Sequence, residues 1–221
     1  KDYYGWEKNH EGLWYYTLFV ENGRVLDENG LQIKTALLEI AKTGKANFRF
    51  TCNQNVILSD IKEGDKAIIQ RILLKYDLEK HTDGSSEVRK NAMACVAFPT
   101  CPLALAEGQR YLPVLISKIE PILEKYKLTS EEIIIRMTGC PNGCGRPYVA
   151  EVGFVGTSYG KYNMHLGGDY QGTRLNKIYK EQLDESAILK ELDSLFGVFS
   201  KERKKGERFG DFSVRQKWVQ F

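Results

Sequence analysis

The spacing of apolar residues predicts that the first 80 residues form a strand, a helix, two strands and a second helix, in that order. Aromatic and β-branched residues dominate the strand-like stretches, whereas the helical stretches place apolar side chains three or four positions apart. Gly44 follows the first helical stretch, where glycine suits the left-handed position after a helix. The predicted strands are 14–20, 48–52 and 56–58, and the predicted helices are 31–43 and 65–78.

The segment 81–87 interrupts this pattern. It is polar, contains Gly84 and Ser85, and lacks apolar periodicity, as is typical of a linker. We therefore expect a domain boundary here, which divides the chain into residues 1–85 and 86–221.

The second part mixes β-branched runs with helical patterns in no regular alternation, which favours the α+β class. Pro121 lies inside the longest apolar helical pattern and predicts that this helix breaks into two pieces. The predicted strands are 133–137, 151–155 and 162–166, and the predicted helices are 103–108, 112–126 and 184–204.

Composition and charge narrow the classes of function. The 221 residues are 42% hydrophobic, enough for a sizeable core, and the net charge of +3 comes from interleaved charges of both signs. Nucleic acid and membrane partners are therefore not expected, and no apolar run reaches the roughly 18 residues of a membrane span. Five cysteines, an odd number, favour reduced thiols and a cytoplasmic location over a disulfide framework.

Four of the cysteines form two pairs: five residues separate Cys95 from Cys101, and three separate Cys140 from Cys144. Four thiolates from two loops can bind zinc or an iron–sulfur cluster. Zinc ligands are usually about two to four residues apart, so the wider gap favours a [4Fe-4S] cluster, in which each cysteine binds a different iron. A zinc site and four buried core thiols remain as alternatives.

Other candidate ligands have simpler interpretations. Cys52 stands alone in a predicted strand, so we expect a core thiol. The histidines lack metal-ligand spacing, and His165, in a predicted strand, is expected to be a structural residue. The basic run 201–208 is interpreted as a solvated helix end, with docking of an acidic electron donor as the alternative.

The two cysteine motifs resemble those of the sirohaem-containing sulfite reductases. They read ACVAFPTCPLA over residues 94–104 and RMTGCPNGCGR over residues 136–146. The resemblance is greatest to the assimilatory, NADPH-linked members, and it covers nearly the whole chain. Its other segments are 37–41, 53–55, 150–156, 162–168 and 209–212.

This resemblance implies a ferredoxin-like α/β sandwich at residues 1–85 and a cluster- and sirohaem-binding domain at residues 86–221. It implies that the Cys144 thiolate is shared between a [4Fe-4S] cluster and the iron of sirohaem, which makes it the catalytic cysteine, and that Asn142 lies against the sirohaem. The implied cluster ligands are Cys95, Cys101, Cys140 and Cys144.

The implied activity is the six-electron reduction of sulfite to sulfide in sulfate assimilation, with electrons from NADPH delivered through a flavoprotein that carries FAD and FMN. A cluster bridged to the haem can supply electrons one at a time while the substrate stays bound. The alternatives are a one-electron iron–sulfur carrier without sirohaem and a structural zinc or interaction module.

The chain resembles only the second of the two related halves of these enzymes. The basic residues that bind sirohaem carboxylates and sulfite belong mainly to the other half, so the N-terminal half of the same enzyme is an expected partner and the isolated fragment is expected to be inactive. Arg136, Arg146 and Arg174 lie near the motifs, and we expect them to have structural or surface roles.

Overall fold

The computed structural model describes residues 1–221, which form two compact units, Lys1–Ser85 and Ser86–Phe221. Each unit combines helices with a sheet and has its own hydrophobic core, which confirms the α+β class. Every helix is too short or too polar to span a lipid bilayer.

The first unit is built on a four-stranded antiparallel sheet with a separate short hairpin. Its strands are β1 (Gly5–Lys8), β2 (Trp14–Leu18), β3 (Asp27–Glu28), β4 (Leu31–Gln32), β5 (Asn47–Phe50) and β6 (Val56–Ile61). The sheet order is β1-β2-β6-β5, and β3 pairs with β4. The sequence pattern located β2, β5 and β6 and missed β1, β3 and β4.

Three helices complete this unit: α1 (Ile33–Thr43), α2 (Lys66–Lys75) and α3 (Leu78–Gly84). Helix α1 ends where the sequence predicts, because Gly44 takes a left-handed conformation with φ of +62°. Helices α1 and α2 contribute the buried side chains of Ile40 and Leu73 to the same core as Leu58 from strand β6.

The linker prediction for residues 81–87 is wrong in its conformation. Helix α3 occupies most of the segment, and Thr82 is completely buried, where its hydroxyl oxygen accepts a hydrogen bond of 3.3 Å from the Phe19 amide. Ser86 then caps the next helix by accepting a hydrogen bond from the Arg89 amide. The polar composition of the segment predicts a loop. Its polar residues instead end helix α3 and cap the helix that follows.

The second unit is built on a five-stranded mixed sheet. Its strands are β7 (Met93–Ala94), β8 (Ile135–Thr138), β9 (Val152–Ser158), β10 (Lys161–Leu166) and β11 (Lys177–Leu183). The order is β11-β10-β9-β8-β7, with β7, β8 and β9 parallel and the other pairs antiparallel. The sequence pattern did not predict strand β11. This strand lies at the edge of the sheet, and most of its residues are exposed and several are charged.

The helices of the second unit are α4 (Glu87–Lys90), α5 (Leu112–Lys125), α6 (Glu185–Glu202) and α7 (Phe209–Arg215). Asp184 caps the start of helix α6, because its carboxylate accepts a hydrogen bond from the Ala187 amide. Helices α5 and α6 pack together, and the Tyr111 hydroxyl donates a 3.0 Å hydrogen bond to Glu185.

Two helix predictions in this unit are wrong. Residues 103–108 form turns, because the amides of Leu105 and Ala106 donate to the carbonyl of Gly139 instead of closing helical turns. Residues 112–125 form one continuous helix despite Pro121. The proline lies on the exposed face, while Leu115 and Leu123 on either side of it are buried in the core and hold the helix together.

Helix α7 is fixed to the sheet by a buried carboxylate. Glu151 is completely buried and accepts hydrogen bonds of 3.0 Å from the amides of Ile134 and Gly210. Burial raises the pKa of Glu151, although these amides and the Arg208 guanidinium, 3.5 Å away, oppose that effect. A Cβ on Gly210 would lie 1.8 Å from the carbonyl oxygen of Gly168, so the two backbones are in direct contact.

We predict that Gly210→Ala destabilises the second unit by about 1–3 kcal/mol or more, because the new methyl group overlaps a backbone oxygen that cannot rotate away. Denaturant unfolding monitored by tryptophan fluorescence measures the loss. Gly64→Ala is the matched control, since Gly64 has open space around it. Equal unfolding midpoints for the two variants would contradict the prediction.

Candidate cofactor site

Two loops that carry cysteines leave the same edge of the second sheet. The first cysteine loop (residues 95–109) follows strand β7, and the second cysteine loop (residues 138–146) begins at the end of strand β8. Because β7 and β8 are parallel neighbours, with Ala94 opposite Met137, their following loops start side by side.

Hydrogen bonds join the two loops directly. The Cys95 amide donates to the Met137 carbonyl at 3.1 Å, and the Gly139 amide donates to the Cys95 sulfur at 3.2 Å. In return, the Gly139 carbonyl accepts from the amides of Leu105 and Ala106 at 2.8 and 3.0 Å. The sulfur of Cys95 therefore lies beside the residue that precedes Cys140.

Glycines allow this close approach. A Cβ on Gly139 would lie 2.6 Å from the Cβ of Ala97, and a Cβ on Gly156 would lie 2.6 Å from the Gly139 carbonyl oxygen. A Cβ on Gly145 would lie 2.3 Å from the Met137 carbonyl oxygen and 3.0 Å from the Cys95 amide nitrogen. The residue after Cys144 thus also contacts the start of the first loop.

The cysteines of the two loops differ in exposure. Cys140 is buried, Cys95 and Cys101 are half-buried, and Cys144 is exposed, as is its neighbour Asn142. This arrangement presents Asn142 and Cys144 on the outer part of the second cysteine loop. The alternative interpretation, in which all four cysteines are buried core thiols, does not fit Cys144, which is exposed.

Cys52 does not lie where the sequence predicts. It is exposed in the turn between strands β5 and β6, in the first unit, and is not a core thiol. The strand prediction failed here because β5 ends at Phe50, and the Thr51 amide donates to Asn55 across the turn. Cys52 is therefore not part of the two-loop site.

No three cysteine, histidine, aspartate or glutamate side chains of the chain lie at the spacing required to hold a single metal ion. A four-iron cube separates its thiolate ligands more widely because each one binds a different iron atom.

Tyr148 is a residue of this site that the sequence pattern did not identify. Its hydroxyl donates a 2.9 Å hydrogen bond to the Pro141 carbonyl, and its ring fills the space where Gly143 would carry a side chain. Burial raises the pKa of the Tyr148 phenol, and the neighbouring Cys140 thiol adds to the shift. No spacing rule reveals this contact, because it depends on the turn that follows the motif.

His165 is a buried structural histidine, as predicted. It lies in strand β10, and its ring packs edge-on against the Tyr148 ring, with centroids 5.4 Å apart. Burial lowers its pKa, whereas the nearby Asn176 amide acts in the opposite direction. The neutral imidazole is therefore favoured.

The arginines near the motifs have structural contacts. Arg174 donates to the Gly167 carbonyl at 2.7 Å and to Asp211 at 2.6 Å. Arg136 donates to the carbonyl of Arg146, and Arg146 contacts the sulfur of Met93. These contacts agree with the predicted structural roles.

Comparison with known proteins finds relatives over nearly the whole chain. Residues 7–76 match the nitrite/sulfite reductase ferredoxin-like half domain. Over 97% of its length the chain is 64% identical to a sulfite reductase [NADPH] hemoprotein beta-component of Leptospira biflexa and 52% identical to one of Staphylococcus carnosus. The chain spans 39% and 37% of the length of these relatives.

A solved structure shares the fold. The NirA protein of Mycobacterium tuberculosis aligns with 99% of this chain and 41% of its own length, with a TM-score of 0.77 and 25% identity. Together with the sequence relatives, this similarity confirms the resemblance carried by the two cysteine motifs. The chain is similar to a part of the sulfite reductase hemoprotein beta-components, and its residues 7–76 match the ferredoxin-like half domain of nitrite and sulfite reductases.

Proposed function

We propose that this chain is the C-terminal, cofactor-binding part of a sulfite reductase hemoprotein, which reduces sulfite to sulfide with six electrons. The observation that supports this most directly is the contact between the cysteine loops, in which the Gly139 amide donates to the Cys95 sulfur. It occurs in a chain 64% identical, over 97% of its length, to a sulfite reductase hemoprotein beta-component.

In this proposal the cysteines of the two loops hold a [4Fe-4S] cluster. The donor set fits the group, because thiolates are the usual ligands of such clusters and an amide hydrogen bond to sulfur stabilises the reduced state. The glycines allow the backbones of the two loops to pack closely, which brings the segments that carry the cysteines together. The proposed ligands are Cys95, Cys101, Cys140 and Cys144.

Sirohaem binds next to Cys144 in this proposal. Cys144 and Asn142 are both exposed, so a large macrocycle can reach them without displacing core residues. The Asn142 amide would donate a hydrogen bond to a carboxylate of the macrocycle, and the Cys144 thiolate would hold both groups. When bound, the two cofactors supply electron transfer to sulfite in single steps.

The two units take different parts in this function. The first, Lys1–Ser85, includes the ferredoxin-like half domain, and the second, Ser86–Phe221, carries both cysteine loops. The relatives are more than twice as long as the chain, so the N-terminal half of the same enzyme and a flavoprotein subunit are the proposed partners. In this proposal the basic residues that bind sulfite belong mainly to that N-terminal half.

Metal analysis of the protein purified without oxygen tests the proposal. We expect four irons and four sulfides for each chain, with tetrapyrrole bands in the visible spectrum of the full-length protein. A cluster without tetrapyrrole bands would favour the one-electron carrier. Stoichiometric zinc would favour the structural module, and a protein with no metal would overturn the proposal.

We predict that Cys140→Ser lowers the iron content to a small fraction of the wild-type value, because a serine hydroxyl is a much poorer ligand for iron than a thiolate. Cys52→Ser is the matched control, and its iron content should equal that of the wild type, since Cys52 lies in the other unit. Iron loss in Cys52→Ser would show that the ligand set is wrong.

Gly139→Ala is predicted to lower iron content without removing any sulfur ligand. The new Cβ would lie 2.6 Å from the Cβ of Ala97 and 2.7 Å from the Ala106 carbonyl oxygen, so the two loops must separate. Iron analysis, with Gly64→Ala as the control, measures the effect. Wild-type iron content in a folded Gly139→Ala protein would contradict the role given to this contact.

A further inference from the structure

The arc between Cys140 and Cys144 has weak support from its own backbone. The Gly143 amide donates to the Cys140 carbonyl at 3.4 Å, which is long for a hydrogen bond. Gly143 also has a positive φ of +73°, a conformation that glycine adopts without strain but does not fix. The position of the outer cysteine therefore depends on contacts from outside the arc.

Tyr148 makes two such contacts. Its hydroxyl donates to the Pro141 carbonyl at 2.9 Å, and its ring carbon Cε2 would be only 2.8 Å from a Cβ on Gly143. The hydroxyl holds one end of the arc while the ring packs against the other. One side chain thus restrains the backbone between the two cysteines.

Tyr148 is itself firmly held. Its carbonyl accepts a 2.8 Å hydrogen bond from the amide of Asn176, a buried residue whose side chain also donates to the carbonyls of Pro147 and Ala150 at 2.6 and 2.9 Å. The buried ring of His165 packs against the Tyr148 ring at an interplanar angle of 74°. Asn176 thus fixes the backbone of Tyr148 and His165 packs against its ring, so this side chain can restrain the neighbouring arc.

The geometry points to Tyr148 as a positioning residue for the cofactor site: it fixes the Cys140–Cys144 arc and so sets where these two thiolates meet a cluster. The inference rests on the proposed function, since it assumes that both cysteines bind iron. Tyr148 contacts the backbone of Pro141 and Gly143, so it acts through the arc. Residues that orient metal ligands also tune the reduction potential and the retention of the metal.

Three variants separate the contacts. Tyr148→Phe removes the hydroxyl and keeps the ring, Tyr148→Ala removes both, and Tyr159→Phe removes a hydroxyl from a tyrosine that is 84% exposed. Each full-length protein is purified without oxygen. We then measure iron content, the rate of iron loss to a chelator, the reduction potential of the cluster and the unfolding midpoint. We also measure the amide exchange rates of Gly143 and of Arg146, whose amide donates to the Gly143 carbonyl at 2.8 Å.

We expect Tyr148→Phe to keep its iron and its unfolding midpoint but to lose iron to the chelator about twofold to tenfold faster, which corresponds to one hydrogen bond. Gly143 and Arg146 amides should exchange faster. Tyr148→Ala should lose iron faster still and shift the reduction potential, and Tyr159→Phe should match the wild type. A structural role alone would lower the unfolding midpoint and leave the potential unchanged.

The experiment distinguishes a failure of the positioning role from a failure of the proposed function. If the wild-type protein contains a cluster and Tyr148→Phe matches Tyr159→Phe in iron loss, potential and amide exchange, the positioning role is wrong and the proposed function stands. If the wild-type protein contains no cluster, the proposed function is wrong and the inference about Tyr148 is overturned with it.

Discussion

The contact between the carbonyl of Gly139 and the backbone around it is the constraint on which the second unit depends. This oxygen accepts from two amides of the first cysteine loop, and a Cβ on Gly156 of strand β9 would lie 2.6 Å from it. Two loops and one strand therefore meet at a point with no room for a side chain. Because main-chain groups buried in this way must be paired, the loops have few other arrangements.

Strand β9 connects this contact to the rest of the unit. Gly156 lies against Gly139, and Glu151, just before the strand, holds helix α7 and the start of strand β8. A buried carboxylate is costly unless it is hydrogen-bonded, so Glu151 fixes the geometry of three segments at once. The backbone contact that positions strand β9 therefore lies at the residue that precedes Cys140.

The amino-acid sequence predicted those features that depend on local spacing. The helical period located α1 and α6, and the spacing of the cysteines identified both loops. Where the outcome depended on distant partners, prediction failed: residues 103–108 have helical spacing, but their amides bond to Gly139. Pro121 should break a helix, but the core on either side of it outweighs one missing hydrogen bond.

Tyr148 shows the same limit at the site, since its partner Pro141 is seven residues away across a turn that no propensity rule predicts. A tyrosine outside the motif carries no signal in the spacing of the cysteines. The positive φ of Gly143 and the turn at Arg146, with φ of +52°, bend the chain so that the Tyr148 hydroxyl reaches the Pro141 carbonyl. Residues that support a site are thus harder to predict than residues that form it.

The cysteines differ in exposure, so the two sides of the site differ in their access to solvent. Cys140 is buried in the chain and Cys144 is exposed, so a cluster between the loops would be enclosed on one side and open on the other. Reduction potentials of such clusters depend on solvent exposure and on hydrogen bonds to sulfur. The Gly139 amide and Tyr148 would act on the enclosed side of such a cluster. Whatever covers Cys144 controls the open side, which is where the proposed sirohaem would both exclude water and receive the electron.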